Sequence, residues 1–149
     1  MCSSDLAAPL LLTVAAAAGL QRICQETGMA ELLAERLTGW HGGLLVPFLI
    51  AAIVKTLQGS SLVAAITAAG MVQPLLQPLG LDGETGRALA ALALGAGAMT
   101  ASHVNDEYFW LTTQSAELGP LRGLLAIAGG TLLQGVVAVA ALLALSAIL

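Results

Sequence analysis

The chain of 149 residues is 58% hydrophobic and only 9% charged, with a formal net charge of −4 and a mean hydropathy of +0.90. A soluble domain carries about 25% charged residues, so there is too little charge here to cover a water-facing surface. No basic stripe points to nucleic acid, and Cys2 and Cys24 form neither a disulfide framework nor a metal-ligand spacing.

Asp, Glu, Lys and Arg are absent from residues 37–54, 56–81, 88–105 and 123–149. A bilayer crossing needs about 20 predominantly apolar residues, so four such stretches make this an all-α, polytopic integral membrane protein. The alanine- and glycine-rich texture favours close helix packing in lipid.

In chain order, residues 1–6 read as a non-native sequencing artefact. Cys2, Ser3, Ser4, Asp5 and Leu6 match the translation of a common sequencing adapter, and native sequence is expected to begin at Ala7 and to extend upstream. Residues 6–20 form a first apolar segment that ends at Gln21 and Arg22. Residues 28–39 place Met29, Leu32, Leu33 and Leu37 at helical spacing, with Glu31, Glu35 and Arg36 elsewhere on the wheel. This predicts an amphipathic helix lying at the interface, with Trp40 and His41 in the headgroup zone. The charges on it read as a solvated face.

Residues 44–57 and 62–76 are two apolar arms separated by Gln58, Gly59, Ser60 and Ser61. Each arm is roughly 22 Å long as helix, short of a hydrocarbon core of about 30 Å. Two readings stand: a re-entrant hairpin with its polar tip at mid-membrane, or two tilted helices with Lys55 near the interface. Pro74, Pro78, Gly80, Asp82 and Gly83 mark a turn-rich connector. Residues 88–100 are helical in pattern and stop at Ser102, His103, Val104, Asn105, Asp106 and Glu107, before Tyr108, Phe109 and Trp110 resume. That interruption predicts a broken helix. Residues 117–122, containing Gly119 and Pro120, read as a loop, and residues 123–149 as a final spanning helix.

Two clusters carry candidate chemistry. At the tip, Gly59 allows a tight turn, while Gln58, Ser60 and Ser61 supply neutral hydrogen-bonding groups beside a helix N-terminus that favours anions. A polyhydroxy carboxylate needs this mixture; the plain alternative is a small-residue packing surface. At the break, His103 is a residue of the type that exchanges protons near neutrality when unperturbed, and Asp106 is a carboxyl whose pKa burial would raise. Either can carry a coupling proton, while Ser102 and Asn105 can bind substrate. The plain alternative is a loop outside the membrane. Lys55 either attracts an anion or snorkels to the headgroups. No Gly-x-Ser-x-Gly elbow frames Ser60 or Ser61 and no metal-binding motif is present, so the chain reads as a non-enzyme.

The tip motif, Gln58-Gly59-Ser60-Ser61 followed by Val63, Ala64, Thr67 and Gly70, resembles the Gln-Gly-Ser motif of the gluconate:proton symporter (GntP) family. Gly95, Ala96 and Gly97, then Ser102-His103-Val104-Asn105-Asp106 ahead of Phe109 and Trp110, resemble that family's second signature. The resemblance spans residues 7–149, the family's C-terminal portion. It implies one repeat of an ion-transporter-superfamily fold, with interfacial helix, re-entrant hairpin, broken helix and final transmembrane helix. It also implies proton symport of gluconate or a related sugar acid across the bacterial inner membrane, with no cofactor beyond the proton. The implied partners are the sugar-acid anion, membrane lipid, the N-terminal half of the same permease and a second copy in a homodimer, with no nucleic acid. A small non-transporting membrane scaffold is the competing expectation. The chain departs from the family at residues 15–21, where a glycine-rich stretch is replaced by alanines, and at Glu107, which adds a charge beside the break.

Overall fold

The computed structural model describes residues 42–148 throughout, together with scattered positions between residues 11 and 32. Residues 1–6 and nearly all of the expected interfacial helix at 28–39 lie outside the described residues. In the first segment, Leu11, Leu12, Ala15, Ala16, Ala18 and Gly19 are helical, as expected. Arg22, Ile23 and Glu26 are helical too, so helical structure recurs beyond the stop expected at Arg22. The physical reason is an i,i+4 ion pair: Arg22 Nε donates to Glu26 Oε1 at 2.8 Å, a spacing that supports helix rather than ending it.

Every regular element among the described residues of 42–148 is helical. Helix α1 is Leu45–Gln58 and α2 is Ser61–Val72, extended by a 3-10 turn at Gln73–Leu75. Helix α3 is Glu84–Ala98, α4 is Glu107–Ser115, and α5 is Pro120–Ser146.

Local chemistry explains the boundaries. Helix α1 stops because Gly59 adopts φ +78° and its N–H caps the Lys55 carbonyl, a left-handed terminus that suits glycine. Ser60 is extended and caps α2, its Oγ accepting from the Val63 N–H at 3.5 Å. Asp106 caps α4 in the same way, Oδ1 accepting from the Tyr108 N–H at 3.0 Å. Beyond α3, Ala101 takes φ +55°, which a continuing helix cannot accommodate. Pro120 opens α5 at a position where its missing N–H costs nothing. A π-helical turn, Leu124–Ala128, interrupts α5 near its start.

The two arms form an antiparallel helical hairpin. Val46 and Ile50, early in α1, share a buried cluster with Met71, Val72 and Leu75 from the far end of α2. At about 21 Å and 18 Å, from 14 and 12 residues at 1.5 Å per residue, both are shorter than a hydrocarbon core. Helix α3 crosses close against α1. A Cβ at Gly97 would lie 2.2 Å from the Phe48 carbonyl oxygen, so only glycine permits this approach. Leu44 and Phe48 also meet Leu89 and Ala93 of α3 and Val139 of α5. Helix α5 approaches the end of α3 through Gly135, where a Cβ would meet the Thr100 hydroxyl.

The 27-residue helix α5 is long and apolar enough to cross a membrane. It leaves Leu125, Leu132, Leu133, Val136 and Val137 exposed. A water-soluble helix buries such a face, whereas lipid solvates it.

Candidate functional site

The hairpin tip and the helix break, separated by more than 40 residues in sequence, are in direct contact. Gly59 lies so close to Asn105 that a Cβ would fall 2.2 Å from the Asn105 carbonyl oxygen. Asn105 Nδ2 donates to the Thr56 carbonyl at 2.7 Å, meeting a carbonyl in the last turn of α1 that lacks an intrahelical partner.

A buried ion pair fastens this contact. Lys55 Nζ donates to Asp106 Oδ2 at 2.5 Å and to the Gly59 carbonyl at 2.7 Å. The two residues are 1% and 2% exposed. An isolated buried charge is costly, so each residue of the pair requires the other. Lys55 therefore neither snorkels nor faces an open cavity; it ties the tip to the break.

Two adjoining cavities open beside this pair. One, of about 270 Å³, is bounded by Ser60, Ser61 and Leu62 at the start of α2, and by Asp106, Glu107 and Tyr108 at the start of α4. Ser102 lines it as well, and Thr131 and Gln134 contribute from α5. The other, of about 260 Å³, is lined by Gln58, Gly59, Ser60, Asn105 and Glu107. Ser60 and Glu107 belong to both. Two helix N-termini thus face one cavity, each bringing first-turn N–H groups and the positive end of a helix dipole.

Of the residues expected from sequence, Gln58, Gly59, Ser60, Ser61, Ser102, Asn105 and Asp106 converge here. His103 does not line either cavity. It is half-buried, with Nδ1 3.0 Å from the Ala101 carbonyl, and its own carbonyl accepts the Asp106 N–H at 2.9 Å. Thr131 and Gln134 were not expected. Thr131 Oγ1 accepts from the Ser102 N–H at 3.0 Å and donates to the Ile127 carbonyl at 2.8 Å, holding the break against α5. Two polar side chains three residues apart share one helix face, and in an apolar helix that pairing was the available signal.

A short helical hairpin tied to a helix break by a buried ion pair, beside an exposed apolar helix, gives the described residues the character of an all-helical membrane protein. The sequence matches the GntP family permease profile over residues 2–148, and the chain belongs to that family. It is 35% identical over 103 residues to the low-affinity gluconate transporter of Escherichia coli K12, covering 68% of this chain and 23% of that protein. It is 35% identical over 105 residues to the Gnt-II system L-idonate transporter of the same organism, covering 70% and 23%. It is 33% identical over 134 residues to the gluconate permease of Bacillus licheniformis, covering 89% and 28%. The chain thus spans about a quarter of the length of the curated relatives it matches. No solved structure matches it.

Proposed function

We propose that this chain supplies part of a proton-coupled symporter for gluconate or a related sugar acid in the bacterial inner membrane. The observation that carries the reading is the convergence of two helix N-termini and neutral hydrogen-bonding side chains on one cavity. A sugar acid has one carboxylate and several hydroxyls. Its carboxylate is placed toward Ser60, Ser61 and Leu62, where the α2 dipole favours an anion. Its hydroxyls are placed toward Ser102, Asn105, Thr131, Gln134 and Glu107, because the Glu107 carboxylate repels another carboxylate and accepts from a hydroxyl. The names of the relatives, gluconate and L-idonate transporters, support the same substrate class.

In this reading α1 and α2 are a re-entrant hairpin and α3 with α4 a broken crossing. Together with α5 they form one repeat of an inverted pair, whose other half lies elsewhere in the permease. The complete permease is multi-pass, lipid-embedded and a homodimer. Protonation couples to the break. A proton on Asp106 removes the charge that holds Lys55, loosening the tip from the break; His103 is the alternative carrier. Coupling needs a differential interaction in two states, and an ion pair that exists only with Asp106 ionised provides one.

The test is uptake of labelled gluconate by cells lacking their own gluconate uptake and expressing the complete reading frame that carries this sequence. The expected result is uptake that collapses with a proton uncoupler and is lost in His103→Ala and Asp106→Asn. No uptake above empty vector rejects the substrate reading. Wild-type uptake in both variants removes those residues from coupling.

A further inference from the structure

The Lys55 ammonium lies between two oxygen ligands supplied by two separate elements. The Gly59 carbonyl is 2.7 Å from Nζ and the Asp106 carboxylate 2.5 Å. The carbonyl comes from the C-terminal end of α1, where the helix dipole is negative, and Asp106 adds a full charge. Backbone carbonyls at the ends of interrupted helices, joined by a carboxylate, are ligands that a free monovalent cation takes in a transporter. Here a covalently held amine fills that place, buried to 1% exposure. It faces neither the headgroups nor either cavity, so snorkelling and substrate attraction leave its position unexplained.

We propose that the Lys55 ammonium is a tethered cation filling a monovalent-cation position between the tip and the break, which deepens the symport reading above and rests on it. With the amine present, a second cation is repelled, and uptake needs no sodium. Removing the amine strands a buried carboxylate and a carbonyl beside a space that a lysine side chain has vacated. A buried carboxylate without a counter-charge recruits one, so a small cation from solution binds and restores the link between tip and break.

The experiment uses the complete reading frame with Lys55→Ala, and the same frame with Lys55→Ala and Asp106→Asn together. Gluconate uptake is measured in choline, sodium and methylammonium chloride, and melting of the purified proteins in detergent is followed in the same three salts. The expected result is wild-type uptake indifferent to the salt. Lys55→Ala loses uptake by about tenfold or more in choline, as expected for a broken buried pair. Uptake recovers saturably in sodium or methylammonium, with a matching rise in melting temperature. The double variant, lacking the carboxylate, shows neither response. A cation-dependent rise in melting temperature specific to Lys55→Ala supports the cation position even where uptake is not restored. Lys55→Ser serves where Lys55→Ala does not accumulate. Absence of both cation responses in the Lys55 variants overturns the proposal, as does sodium-dependent uptake by the wild type. A wild type that takes up no gluconate rejects the substrate reading, while the melting measurement still tests the cation position.

Discussion

Replacing Gly59 with alanine isolates how much of the structure depends on contact between tip and break. Two costs add. The first is conformational: Gly59 has φ +78°, and an L-residue in that region costs about 1–2 kcal/mol. The second is steric: the new Cβ would lie 2.2 Å from the Asn105 carbonyl oxygen and 2.8 Å from its carbon. Those are backbone atoms, so relief requires the tip to lift from the break. Lifting weakens the hydrogen bond from Asn105 to the Thr56 carbonyl and strains that from Lys55 to the Gly59 carbonyl, each worth about 0.5–1.5 kcal/mol. The sum is a loss of about 2–5 kcal/mol. Gly80→Ala is the control, because Gly80 has φ +70° but open space around its Cβ position. It should lose only the conformational part, about 1–2 kcal/mol. The assay is denaturant or thermal unfolding of the purified complete permease, with gluconate uptake alongside. Equal destabilisation by Gly59→Ala and Gly80→Ala would refute the reasoning, since the contact with Asn105 would then contribute nothing.

Two further predictions use the same measurement. Gly97→Ala pushes a methyl group to 2.2 Å from the Phe48 carbonyl oxygen and should separate α1 from α3, whereas Gly95→Ala meets nothing within 4 Å and should be neutral or stabilising by up to about 1 kcal/mol through helix propensity; the melting temperature should fall for Gly97→Ala and hold or rise for Gly95→Ala. Asp106→Asn alone leaves the Lys55 ammonium buried without its counter-charge and should destabilise by about 3–5 kcal/mol, while Lys55→Met combined with Asp106→Asn should lose markedly less, as read by unfolding of both proteins in one detergent.

The helices were legible because their signals are local. Gly59 between two apolar runs, Ser60 ahead of one and Asp106 ahead of another act within a single turn, and the arms expected at 44–57 and 62–76 correspond to Leu45–Gln58 and Ser61–Val72. The break was visible as polar residues between apolar ones. The continuation of helical positions past Arg22 was missed because a charged residue was read as a terminus, when Glu26 four residues on makes it a helix-supporting pair. The Lys55–Asp106 pair was not legible. The residues are 51 apart, and their meeting depends on the hairpin folding back over the break, which no short-range spacing encodes. The serine tip carried a double meaning. Ser60 is both a helix cap, accepting from Val63, and a lining residue of two cavities. Thr131 and Gln134 lie in a segment whose apolar length dominates its pattern, and their three-residue spacing is the one local sign that they share a face.

The central claim is that the hairpin tip and the helix break enclose one substrate site. Its most direct test is the labelling rate of a cysteine at Ser61, in the complete permease with Cys24 and every other native cysteine changed to serine, with and without gluconate. Ser61 lines the cavity formed by the starts of α2 and α4, and a cysteine at exposed Glu117, outside it, is the reference. The account predicts that gluconate slows maleimide labelling at position 61 in a saturable way and leaves position 117 unchanged. Labelling at position 61 that is indifferent to gluconate, in a permease that transports it, would contradict the account.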